Sequence, residues 1–187
     1  MSILRTIPED EATGLVAELY AEDIADLGYV PTYTKAMALN PEAVKAFSAL
    51  AGAIARPLGM RNYELVTLAA AEALGSDMCR LAHSRKSLKY MSADEVVAIA
   101  RDYRAAGLSE AEVAMMDYAA KLSRDAETMS DADSERLREL GFDDAQIVNI
   151  TLAAGLRNLY SRSLHALAVE LDVPPGLPAG VLEAVRS

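Results

Sequence analysis

Cysteine is almost absent from this sequence: its 187 residues contain one, Cys79. A single cysteine cannot close an intramolecular disulfide, so an oxidising compartment offers this fold nothing and a cytoplasmic location is expected. Tryptophan is missing, and there are two histidines, His83 and His165. Positive charge is scarce as well, with 18 Lys and Arg against 28 Asp and Glu, a net charge of −10. That balance argues against a nucleic-acid footprint, which needs clustered cations on phosphates, and against docking on an anionic membrane. No stretch approaches the roughly 20 apolar residues of a membrane span. The opening MSILRTIPEDEATG has neither the apolar core nor the small-residue cleavage site of a secretory signal. Two histidines among scattered carboxylates make no recognised ligand spacing, so no metal and no cofactor are expected.

Proline is missing from the whole stretch between Leu58 and Val173, which is rich in the better helix formers Ala, Leu, Glu and Arg. No alternating strand bounded by turn residues stands out. The fold class is therefore all-α, with about eight helices. They are expected at 9–27, from 41 to about 55, at 60–74 and 76–90, then behind Ser92 and Ser109, over 129–140, and from 142 to about 171. Pro41 behind Asn40, and Ser92 and Ser109 each followed three residues on by Glu, are the start signals. Met115, Met116 and Met129 read as core filler or interface. Residues 1–173 form one domain, and the proline-bearing end, 174–187, is expected to be an extended tail.

A shift of 82 residues lays RPLGMRNYELVTLAAAEALGSDMCRLAHS over RELGFDDAQIVNITLAAGLRNLYSRSLHA. Arg56 meets Arg138, Gly59 meets Gly141, and the two histidines coincide. The match suggests an internal helix-hairpin duplication, 56–90 repeated in degenerate form at 138–171. Glu64 then faces Gln146 and Cys79 faces Ser161, so the first copy holds the reactive groups. His165 is expected to be a structural relic of the second copy, packed or hydrogen-bonded in its own hairpin.

The chemistry gathers in GSDMCRLAHS. Gly75 ends one helix and Ser76 is a good N-cap for the next, which places Cys79 in its first turn. There the free N–H groups and helix dipole favour a negative sulfur, and Arg80 adds a cation that Asp77 opposes. His83 lies one turn on, on the same face, within reach of the thiol proton directly or through water. The tight turn at Gly75 sets the two helices antiparallel and brings Glu64 to a height similar to His83, where a carboxylate can orient the imidazole. Glu72 is a second carboxylate nearer the turn.

ELVTLAAAEALGSDMCRLAHSRKSL resembles the core motif of the alkylhydroperoxidase (AhpD)-like, or carboxymuconolactone decarboxylase, superfamily. Its flanks, from AELYAEDIADLGYVPTYTKAMALNPE to ALAVELDVP, resemble the peroxidase-related branch, and the likeness spans nearly the whole chain. Peroxidases of that superfamily carry a Glu, a Cys-x-x-Cys pair and a His, and the matching positions here are Glu64, Ser76, Cys79 and His83. The resemblance implies a thiol-dependent peroxidase that reduces hydrogen peroxide or organic hydroperoxides. Cys79 would be the attacking thiol, His83 the proton relay and Glu64 its support. It also implies a homo-oligomer, a dimer, trimer or hexamer. Ser76 departs from the pattern, since it stands where the resolving cysteine would be. An oxidised Cys79 would then need an external thiol or one from another subunit. Two other readings of the same residues are a non-redox acid–base enzyme using His83 and Glu64, and a scaffold or binding protein with a decayed site.

Overall fold

The computed structural model describes residues 4–186 and contains, among them, ten α-helices and no strand. These are α1 (Gly14–Leu27), α2 (Thr32–Met37), α3 (Pro41–Leu58), α4 (Met60–Ala73), α5 (Asp77–Ser87), α6 (Ala93–Asp102), α7 (Glu110–Asp125), α8 (Asp131–Glu139), α9 (Asp144–Ala166) and α10 (Ala179–Arg186). The all-α class holds. Ten helices form where about eight are expected, because α2 and α10 are short segments flanked by proline. None of the helices among the described residues is long and apolar enough to cross a membrane.

The start signals act as their chemistry requires. The Asn40 side chain accepts from the N–H of Ala43, and Ser92 from that of Glu95. Ser109 and Glu112 form a reciprocal capping box on α7. The first helix begins later than expected, at Gly14, with Glu9–Glu11 forming a separate 3-10 turn.

α4 is the centre of the molecule. Every residue from Tyr63 to Ala71 is buried, as suits a helix packed on all sides by α3, α5, α7 and α9. Glu64 is carried into the interior by that position, since α4 has no solvent face at its level.

Two expectations are corrected. Residues 179–186 are not part of an extended tail: α10 presents Val181, Ala184 and Val185 at one-turn spacing and packs them against α6 and α5, with Val181 fully buried. The segment aligned with the α4–α5 hairpin does not fold back either. α9 runs unbroken through it, because Arg157 and Asn158 stand where the first copy has the turn residues Gly75 and Ser76.

Candidate functional site

The turn that builds the site is a Schellman motif at the end of α4. Gly75 has φ +61°, its N–H donates to the carbonyl of Glu72, and the N–H of Ser76 donates to the carbonyl of Ala71. The chain reverses there and α5 returns along α4. Glu64 and His83 meet as the antiparallel heights require, His83 Nδ1 to Glu64 Oε2 at 2.7 Å. Both side chains are buried.

Cys79 occupies the third position of α5 and is 2% exposed. With Glu64 and His83 it lines an open cavity of about 400 Å³ between α1, α2, α3, α4, α5 and α9. Three of the four predicted residues are thus brought together. The fourth, Ser76, lies outside this cavity. It holds the N-cap position, but its hydroxyl makes no capping bond and is buried without a hydrogen-bond partner.

Sequence reasoning missed the groups that touch the sulfur. Arg157 Nη1 donates to Cys79 Sγ at 3.3 Å, and Ser161 Oγ lies 3.1 Å from the same atom. Both come from α9, and Ser161 is the residue that the 82-residue shift pairs with Cys79. The expected cation, Arg80, points elsewhere: it donates to the carbonyls of Val185 and Ala100 and so ties α5 to α10 and α6. Neighbours on a helix do not share a face, so the residue after Cys79 turns away from the sulfur. His165 is exposed near the end of α9 rather than packed, and Glu72 lines a separate small cavity beside Arg80.

Arg157 is 4% exposed, makes no salt bridge, and its Nε has no partner. An arginine keeps its charge under all ordinary conditions, and the Glu64 carboxylate lies within its electrostatic reach without an ion-pair contact. The group it donates to is the Cys79 sulfur. The Ser161 hydroxyl donates to the same sulfur.

His83 is pushed down to about 4, by burial first and by the Arg157 charge second, against the pull of Glu64. It is therefore neutral at pH 7. Burial alone would raise Glu64, but the His83 ring and the charges of Lys86 and Arg157 outweigh it and hold the carboxyl below its usual range. An ionised Glu64 accepts a proton-bearing nitrogen, which assigns the hydrogen to Nδ1 and leaves Nε2 as a free base. The cavity's apolar wall is aromatic: the Tyr160 ring packs edge-on to Tyr33 and lies 4.7 Å from that of Phe47.

The family model for carboxymuconolactone decarboxylases matches residues 41–121. That span includes Glu64, Cys79 and His83 and stops short of Arg157 and Ser161. Among curated proteins, none matches this chain. Several solved structures do. An uncharacterized peroxidase-related protein from Silicibacter sp. TM1040 is 27% identical, with 91% of this chain and 92% of that one covered at a TM-score of 0.77. A protein described as an alkylhydroperoxidase AhpD core, from Ralstonia eutropha JMP134, covers the same shares at 23% identity and a TM-score of 0.77. The debrominase Bmp8, solved with 2,3,4-tribromopyrrole, shares the fold at a TM-score of 0.78 and 15% identity, over 100% of this chain and 98% of its own.

Proposed function

We propose, from the family match over residues 41–121 and the fold shared with AhpD-like proteins, that the chain is a member of the AhpD-like, carboxymuconolactone decarboxylase superfamily and that its one thiol makes it a peroxidase, reducing hydrogen peroxide or organic hydroperoxides through Cys79. The observation that carries this reading is the sulfur's surroundings: a buried guanidinium and a hydroxyl both donating to Sγ, with the His83–Glu64 pair in the same cavity. The Nε2 of His83 takes the thiol proton, directly or through water, while Glu64 holds the ring by Nδ1. The thiolate attacks the terminal oxygen of the peroxide, forming an S–O bond as the O–O bond breaks. Cys79 becomes a sulfenic acid, and water or an alcohol departs. Ser76 cannot resolve that acid. A small external thiol condenses with it, releasing water, and a second thiol returns Cys79 to its reduced form. The cytoplasm, which supplies such thiols, is the proposed location.

The test is peroxide consumption by wild type and Cys79→Ser with several thiol donors. Wild type should turn over with at least one donor and the variant with none. Equal rates in the two proteins would favour the non-redox acid–base reading.

We also propose that the protein works as a homo-oligomer. Val148, Leu152 and Leu159 lie on one face of α9 and are exposed, Leu159 by 60%, and Leu50 is exposed on the neighbouring α3. A row of this kind on a soluble chain marks a contact surface. Light scattering should give a multimer for wild type and a smaller species for Leu152→Glu with Leu159→Glu. A monomeric wild type would contradict the proposal.

A further inference from the structure

Several ionisable groups that line the cavity have no part in the steps above, and one of them is a lysine on the helix that carries Cys79 and His83. Lys86 lines the same space as Cys79 and His83. Positions 79, 83 and 86 fall on one face of α5, and helical side chains lean toward the N-terminus, so Lys86 leans over the turn that carries His83. Its ammonium makes no hydrogen bond and no ion pair, whereas Lys89, three residues on, is bridged to Asp26 at 2.6 Å. It sits within the electrostatic reach of Glu64 and of Arg157, the residue bonded to the sulfur.

We propose that Lys86 is a further catalytic residue, the acid that protonates the oxygen leaving as Cys79 breaks the O–O bond. The proposal rests on the peroxidase reading of the site. The thiolate forms its bond to the terminal oxygen, which keeps its own hydrogen and becomes the sulfenic acid. The other oxygen leaves with the bonding pair as alkoxide, takes a proton from the Lys86 ammonium and departs as alcohol. The proton that His83 Nε2 took from the thiol then passes through water to restore the Lys86 ammonium, so the step consumes and releases none. An alkoxide is a poor leaving group, and this transfer removes that obstacle.

The groups that surround the sulfur and the His83–Glu64 pair are less suited to it. The Nδ1 hydrogen of His83 is committed to Glu64, and the proton its Nε2 takes from the thiol is the one that restores Lys86. Arg157 does not release a proton. Burial pushes the hydroxyls of Tyr33 and Tyr160 up, which makes them weaker acids. Burial pushes the Lys86 ammonium down, which makes it a stronger one.

The decisive comparison uses two oxidants of different leaving group in single-turnover oxidation of Cys79. tert-Butyl hydroperoxide expels an alkoxide that needs a proton, whereas peracetic acid expels acetate, which does not. Lys86→Met should slow the first reaction by about 10²-fold and leave the second within a few-fold of wild type. Lys86→Arg, which keeps the charge but gives no proton, should behave like Lys86→Met with the alkyl peroxide. Equal losses with both oxidants would mean that the lysine acts only through charge or packing, and no loss would mean no role; either overturns the proposal. A wild type that neither oxidant oxidises would instead overturn the peroxidase reading.

Discussion

Arg157→Leu slows oxidation of Cys79 by peroxide about 10²- to 10³-fold, the loss expected when one preorganised donor is taken from a reacting anion. No other cation is hydrogen-bonded to the sulfur, and the Ser161 hydroxyl alone remains beside it after the change. The effect on stability should have the opposite sign or none. Arg157 is a buried charge without a salt bridge, and an apolar residue of similar reach relieves its desolvation. A variant that melts no earlier than wild type yet reacts far more slowly fits this account. A variant that reacts at the wild-type rate refutes the assignment of Arg157 to the sulfur.

The His83–Glu64 pair makes the fold sensitive to acid. The folded protein keeps His83 neutral down to about pH 4, while the unfolded chain takes up that proton near 6.5. Between those values the unfolded state binds more protons, so stability falls as the pH is lowered from 6.5 to 4, by about 3 kcal/mol from this group. Glu64, held below its usual range first against burial and then by His83, adds a loss at lower pH as its folded form is finally protonated. Urea midpoints measured across this window should show the decline. In His83→Gln the slope should flatten or reverse, because Glu64 loses the N–H that keeps it ionised and its burial then raises it. An unchanged slope in that variant would show that the acid sensitivity lies elsewhere.

The sequence carried half of the site in readable form. Glu64, Cys79 and His83 are joined by one tight turn and helical spacing, and local geometry suffices to bring Glu64 and His83 together. Arg157 and Ser161 are far along the chain, and they reach the sulfur only because α9 crosses the α4–α5 hairpin. One signal was available: an arginine within the apolar run of a helix needs a partner somewhere, and the shift by 82 residues already set Ser161 opposite Cys79. Arg80 was the tempting cation because it is adjacent, but adjacency on a helix is a rotation of about 100° away. The type of Ser76 predicts a cap, yet its hydroxyl is buried without the capping bond. The C-terminal segment was obscured by its prolines. They stop before Ala179, and the stripe of Val181, Ala184 and Val185 was legible beneath them.

Every step proposed at this site requires that the buried Cys79 thiol react with peroxide. Its most direct measurement is the intact mass of wild type after treatment with one equivalent of cumene hydroperoxide and no reductant. The predicted result is a gain of one oxygen atom, mapped to Cys79 by a dimedone adduct and absent from Cys79→Ser. An unchanged mass, with the peroxide left unconsumed and Cys79 still a free thiol on unfolding, would contradict it.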